Sequence, residues 1–129
     1  MRATVCALLA AAHPVLACEP ALKGSDVHRI EGRIYVVAWQ AAPMHVSEFF
    51  TLEVAACANA GPAPTALRVD AVMPAHKHGM NYLPKVESAG AGRFRAEGLM
   101  LHMPGAWELS FDVRGSQGNE TLREGISLR

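Results

Sequence analysis

The stretch "AWELSFDVR", Ala106 to Arg114, alternates apolar and polar residues from Trp107 onward. Successive side chains of a β-strand point to opposite faces of the sheet, so a period of two predicts a half-buried strand. The predicted inward face consists of Trp107, Leu109, Phe111 and Val113, and the predicted outward face of Glu108, Ser110, Asp112 and Arg114.

Further segments with β-branched, aromatic or alternating residues lie on both sides of this stretch, and turn residues separate them. They are residues 33–39, 49–57, 66–73, 92–101 and 120–129. No helical stripe of useful length is present in the sequence. About seven strands in a domain of roughly 100 residues are typical of an immunoglobulin-like sandwich, so we predict an all-β, immunoglobulin-like β-sandwich.

The N-terminus has the pattern of a secretory signal: one arginine, then an apolar stretch, then small residues at Ala17 and Cys18. We therefore predict a signal peptide at residues 1–17 and a single domain at residues 18–129 that is exported to the periplasm. The apolar stretch is too short to span a bilayer as a mature helix, so we expect no transmembrane anchor.

In an exported protein the cysteines are expected to pair, because an oxidising compartment favours disulfides. We predict a Cys18–Cys57 disulfide, which closes a loop of about 40 residues and would add about 4 kcal/mol of stability on a chain-entropy model. The alternative is that "VLAC", Val15 to Cys18, is a lipobox and that Cys18 carries a lipid anchor. Leu16 stands where such signals usually have a small residue, and Cys57 would then be unpaired.

The charge balance and motifs argue against several classes of function. The 12 basic and 12 acidic residues form no block of like charge, so nothing indicates binding to nucleic acid or to an anionic membrane. The sequence has no catalytic arrangement of Ser, His and Asp or of Cys and His, and no glycine-rich phosphate loop before a helix. We therefore predict that the protein is not an enzyme.

Histidine and methionine are concentrated in two segments. The first, "VMPAHKHGMNYLP" (Val72 to Pro84), carries two of each, and the second, "LMLHMPGAWEL" (Leu99 to Leu109), carries a further His-Met pair. If the first segment stays extended, its histidines and second methionine share one side of the chain. In a small sandwich the strand ends gather at two poles, so we expect the two segments to meet. His28 and His45 are predicted to be solvent-facing turn residues.

This set of side chains predicts a copper site. Imidazole with thioether is a soft to borderline ligand set that suits copper, with thioether favouring Cu(I) over Cu(II). The candidate ligands are His76, His78, His102, Met80, Met103 and Met73. Met73 is also in register with Leu67, Val69 and Ala71, which indicates a place in the core. The alternative function is a structural or protein-interaction module in which the two segments pack together without a metal.

Two sequence blocks resemble the YtkA-like family of small exported bacterial domains. They are "DAVMPAHKHGMNYLP" (70–84) and "GRFRAEGLMLHMPGAWELSFDV" (92–113), within a resemblance that covers roughly Phe49 to Val113. Their pattern is related to that of the FixH-type proteins associated with copper supply to terminal oxidases. The resemblance implies an immunoglobulin-like β-sandwich and a periplasmic role in copper handling.

The residues that match the family's motif are His76, His78, Met80, His102 and Met103. FixH-type proteins are membrane-anchored, whereas this chain has no membrane helix beyond its signal. We therefore expect a copper chaperone or buffer, a monomer that accepts copper from, or donates it to, another envelope protein.

Overall fold

The computed structural model describes residues 17–129, so the predicted signal peptide lies outside the described residues except for Ala17. The described chain forms nine strands and one 3₁₀ helix at Pro74–His76. The strands are β1 (His28–Glu31), β2 (Tyr35–Ala41), β3 (Phe49–Ala58), β4 (Ala66–Met73), β5 (His78–Gly79), β6 (Lys85–Gly90), β7 (Arg93–Met100), β8 (Gly105–Gly115) and β9 (Gly118–Leu128). Among these residues we find no helix with the length and apolar character needed to cross a membrane.

The strands form two packed antiparallel sheets. Sheet A has the order β1-β2-β3-β7-β6, and sheet B has the order β5-β4-β8-β9. The predicted all-β, immunoglobulin-like β-sandwich is confirmed. The six segments that the sequence analysis named as strands correspond to β2, β3, β4, β7, β8 and β9.

The core lies between the sheets and follows the period-two pattern of the sequence. In β8 the four residues predicted to face inward are all buried, and their polar neighbours are exposed or half-buried. Trp107 is 1% exposed, and β2 contributes Tyr35, Val37 and Trp39 to the same apolar cluster. Burial of such large side chains supplies the main driving force for closing the two sheets on each other.

Sheet A is also partly covered on its outer face. Val36, Ala38 and Ala55 are buried although they point away from the shared core. The predicted disulfide is present, and it joins Cys18 to Cys57 on this outer face, beside Val36. The segment before β1 is therefore tied to sheet A. Because the Cys18 sulfur forms this bond, it is not free for the thioether link that a lipid anchor requires.

Three strands of the structure were not predicted. β1 has four residues and β5 has two, which is too short for a recognisable period. β6 covers residues 87–90 of "ESAGAG" (residues 87–92), whose glycines and small residues are typical of a turn; the turn itself consists of Ala91 and Gly92, and Gly90 and Gly92 have positive φ. β6 is an edge strand with mostly exposed residues, so it lacks the apolar face that marks a strand in a sequence.

Two glutamates of β9 close one side of the sandwich. The Glu120 carboxylate accepts hydrogen bonds from the backbone N–H groups of Arg33 at 2.7 Å and of Ile34 and Tyr35 at 2.9 Å. Glu124 accepts one from the Trp39 indole at 2.6 Å. Partial burial by itself raises the pKa of Glu120, but the three backbone donors outweigh it, and the pKa lies below its ordinary value of 4.5.

We expect Glu120→Gln to lower the free energy of unfolding by about 1–2 kcal/mol at neutral pH, because the amide is a weaker acceptor than the carboxylate. A depressed native pKa means that the contribution of Glu120 is complete above its ordinary pKa and is lost as the pH falls through the lowered native pKa. Urea unfolding at several pH values measures the difference between wild type and variant. Glu19→Gln, on an exposed side chain, is the control. A difference that does not shrink in acid would contradict this role.

Candidate functional site

The first histidine-methionine segment turns back on the strand that precedes it. Met73 ends β4, Pro74–His76 form a 3₁₀ turn, and Lys77 adopts a left-handed conformation at φ 53°. The first segment therefore does not stay extended, which was the condition for its histidines and second methionine to share one side: residues 74–77 form a turn instead. Proline fixes its own φ near the helical value and suits the first position of a helical turn, which ends the strand at this point.

The turn brings His78 beside the end of β4. In β5, His78 pairs with Met73 and Gly79 pairs with Val72. The Met80 N–H continues the contact by donating to the carbonyl oxygen of Ala71 at 3.2 Å. The chain reversal therefore holds the first segment against the edge of sheet B.

The second segment connects β7 to β8 across the same end of the sandwich. The indole N–H of Trp107 donates to the carbonyl oxygen of Met103 at 2.9 Å, which fixes the connection above the core. Gly105 has φ 119°, a region open to glycine and strained for other residues. A Cβ at this position would lie 3.2 Å from the Met73 methyl, so the backbone passes close to the buried thioether.

The two segments meet on the ring of Trp107, as their positions at strand ends predicted. Ring centroids are 5.1 Å apart between His78 and His102 and 5.7 Å apart between His76 and His78. The Trp107 ring lies 5.7 Å from His78 and 5.5 Å from His102, in edge-to-face contact with both. The structure thus places three histidines in a row, with His78 in the middle.

The ring spacing is compatible with a shared ion. An imidazole nitrogen ligates a metal at about 2 Å, so two imidazoles on one ion have ring centroids about 5–6 Å apart. Nevertheless, within residues 17–129 no three His, Cys, Asp or Glu side chains are arranged to hold an ion. A site at this place would therefore need rotation of the rings or ligands of another type. The thioethers of the two segments are such ligands.

Burial differs among the six candidate ligands. His76 is exposed, whereas His78, His102, Met80 and Met103 are half-buried. Both of these methionines pack against the core. Met73 is 2% exposed and lies in the core with Leu67, Val69 and Ala71, as their common register indicated. We therefore leave Met73 out of the candidate site.

One polar atom of the site lacks a partner. The Nδ1 atom of His102 is buried and makes no hydrogen bond with any described residue. A buried polar atom without a partner costs about 1–3 kcal/mol, so such atoms are rare in native proteins. A neutral imidazole nitrogen without a hydrogen-bond partner is able to ligate a metal ion.

The two remaining histidines of residues 17–129, His28 and His45, lie outside this row. His45 is exposed in the connection before β3, as predicted. His28 is exposed as predicted, but it is not a turn residue: it begins β1, its ring stacks on Trp39 at 4.0 Å, and its Nδ1 approaches Glu124 at 3.2 Å. This contact lies where β1 meets β9, on the side of the sandwich opposite β5.

The sequence analysis missed an exposed apolar surface next to the histidines. Phe49, Tyr82 and Leu83 are 59%, 49% and 86% exposed, and the rings of Phe49 and Tyr82 are in contact at 5.1 Å. The adjacent pair Phe49 and Phe50 was the available signal. Neighbouring residues of a strand face opposite sides, so only one of two consecutive phenylalanines can enter the core.

Comparisons with known proteins support the fold but name no function. No family model matches the chain, and no curated protein matches it. Among solved structures, the chain is similar to a DUF4785 family protein from Legionella pneumophila subsp. pneumophila str. Philadelphia 1, with a TM-score of 0.52 and 10% identity. The match covers 74% of this chain and 28% of that chain. Membership of the YtkA-like family stays a prediction.

We expect Gly105→Ala to destabilise the protein by about 1–3 kcal/mol, because it places a side chain at a strained φ and against Met73. Gly125→Ala is the matched control, since its Cβ would meet nothing within 4 Å. Thermal unfolding of both variants measures the difference. Equal stabilities would show that the backbone between His102 and Trp107 is not held in this conformation.

Proposed function

We propose that this protein binds copper in the bacterial envelope as a non-catalytic carrier or buffer. The observation that carries the proposal is the contact between His78 and His102, whose rings lie 5.1 Å apart and both pack on Trp107. The two histidines come from different connections of the sandwich, and each connection also carries a methionine at the same end. Export to the periplasm fits the disulfide, since disulfides persist in oxidising compartments.

The chemistry of these side chains favours copper over other metals. Structural zinc sites usually have four Cys or His ligands, and magnesium and calcium require oxygen ligands. Two half-buried imidazoles, together with the thioethers of the same two segments, instead make up a soft set that suits Cu(I). Thioethers also avoid the thiolate oxidation to which a free cysteine is exposed outside the cytosol. The cysteines of residues 17–129 are already joined in the disulfide.

The differences in exposure assign different roles to the side chains. His78 and His102 are the inner imidazole ligands, and Met80 and Met103 supply the thioethers. His76 is exposed and its ring lies 5.7 Å from that of His78, so it is the ligand that a donor or acceptor protein reaches first. The Trp107 ring contacts both inner imidazoles and shields them from water; an indole ring also attracts a nearby cation.

Thermal unfolding of the metal-free protein, repeated with Cu(I), Cu(II) and Zn(II), tests this function. A ligand at one hundred times its dissociation constant adds about 2.7 kcal/mol to a state that it binds exclusively. For a domain of this size we expect Cu(I) to raise the melting temperature by about 10 °C. No rise with any metal would overturn the proposal.

Substitution of His78, the central histidine of the row, gives the most specific test of the proposed site. We expect His78→Ala to abolish the rise with Cu(I), because it removes the ring that contacts both other imidazoles. His28→Ala, on the opposite side of the sandwich, removes one histidine as well and should keep the full rise. Each variant is compared with its own metal-free form, so that the lost stacking of His28 on Trp39 does not enter the comparison.

A structural role without metal is the second candidate, and the hydrogen bond from Trp107 to Met103 favours it. In that case the histidines serve to pack the two connections on the indole ring. His102→Ala should then lower the stability of the metal-free protein, while no metal stabilises the wild type. The two candidates therefore give opposite results in the same unfolding experiment.

A further inference from the structure

A second group of residues with metal-binding side chains lies away from the histidine row, in a cleft beside the start of β1. The cleft has a volume of about 180 Å³ and is lined by Asp26, His28, Trp39 and Met44, with residues 41–43 along one wall. It therefore brings together residues that carry a carboxylate, an imidazole and a thioether. The proposed copper site uses none of them.

The imidazole of His28 is held by two neighbours. Its ring stacks on that of Trp39, with centroids 4.0 Å apart and planes 11° from parallel. Its Nδ1 atom lies 3.2 Å from Oε1 of Glu124. The Oε2 atom of the same carboxylate accepts the indole N–H of Trp39 at 2.6 Å. The carboxylate is thus anchored by a buried tryptophan, and it fixes the orientation of the imidazole.

The contact with Glu124 decides which nitrogen of His28 is able to bind a ligand. A carboxylate only accepts hydrogen bonds, so Nδ1 carries the proton and donates it to this contact. In the neutral ring the other nitrogen, Nε2, then keeps its lone pair. Metal-binding histidines usually donate their second nitrogen to a carboxylate, a carbonyl or water in the same way. His28 therefore has the tautomer and orientation of a metal ligand before any ion is bound.

The charges around the cleft favour a cation. Asp26 is exposed, and the Glu124 carboxylate lies against the His28 ring. Arg29, the base next to His28 in the chain, forms ion pairs with two other glutamates and does not neutralise these carboxylates. Opposite charges attract more strongly at a protein surface than in bulk water. The side chain of His28 is 43% exposed, so an ion can reach it.

We propose that this cleft binds Cu(II), with Nε2 of His28 and the carboxylate of Asp26 as its protein ligands. Cu(II) takes nitrogen and oxygen ligands in a square arrangement, and it binds such sets more tightly than the other divalent first-row metals do. Within residues 17–129 no three His, Cys, Asp or Glu side chains are grouped to hold an ion, so water completes the coordination. The thioether of Met44 suits the weak axial position.

The cleft and the histidine row differ in ligand chemistry, and so in the oxidation state that each favours. The row combines imidazoles with the thioethers of two segments, whereas the cleft offers one imidazole, a carboxylate and water. The cleft lies on the side of β1, opposite β5. The Cu(II) site goes beyond the proposed function and does not rest on it, because it uses none of the same side chains.

Electron paramagnetic resonance of the His76→Ala, His78→Ala double variant tests the cleft, because this variant lacks both histidines of the first segment. With one equivalent of Cu(II) we expect a spectrum of bound copper with splitting from one directly bound nitrogen. Adding His28→Phe should remove this spectrum, since phenylalanine can stack on Trp39 but has no nitrogen. A double variant that binds no Cu(II), or a spectrum that persists after His28→Phe, would overturn the proposal, whatever the wild type does with Cu(I).

The carboxylate behind the imidazole gives a second test. In the same double variant, Glu124→Gln should weaken Cu(II) binding about 10–100-fold, the usual cost of losing a group that orients a metal-bound histidine. Glu87→Gln makes the same change of charge on an exposed residue of β6 and should leave the affinity unchanged. Competition with a chelator of known affinity measures both. Equal affinities in the two variants would contradict the assignment of Nε2 of His28 as the ligand.

Discussion

The packing of two chain connections on the indole ring of Trp107 determines the arrangement of the histidine end of the sandwich. Trp107 faces inward because β8 alternates, and it is buried there at 1% exposure. A buried indole N–H requires an acceptor, and the carbonyl oxygen of Met103 provides it. The rings of His78 and His102 then contact the same indole from the two connections. The alternation of one strand thereby leads to the proximity of two distant histidines.

Under the proposed function, this arrangement would join stability and copper binding in one set of contacts. Two of the proposed copper ligands, His78 and His102, already pack on Trp107 in the metal-free protein, so their side chains are partly ordered before an ion would bind. Preorganisation of this kind lowers the cost of binding. The exposed end of the row, at His76, remains open to a partner.

The fold was largely predictable from the sequence because its long strands have one apolar face. β8 shows this best, and the register of Met73 with Leu67, Val69 and Ala71 correctly indicated the core. β5 and β6 escaped prediction, because a strand formed by chain reversal or exposed at a sheet edge leaves no period-two pattern. The inward-facing Glu120 was also missed, since its function is to accept backbone N–H groups that only the folded chain brings near it. For the site, the meeting of His78 and His102 followed from their places at strand ends, whereas the turn at Pro74–His76 and the contact between the exposed rings of Phe49 and Tyr82 depend on tertiary contacts.

X-ray absorption at the copper edge of the Cu(I)-loaded protein tests the central claim most directly, because it identifies the atoms bound to the ion. Imidazole and thioether ligation predicts both nitrogen and sulfur neighbours. The sulfur signal should disappear in the Met80→Leu, Met103→Leu double variant and persist in Met44→Leu, which replaces another half-buried methionine. A spectrum of the wild type with nitrogen and oxygen neighbours alone would contradict the proposed site.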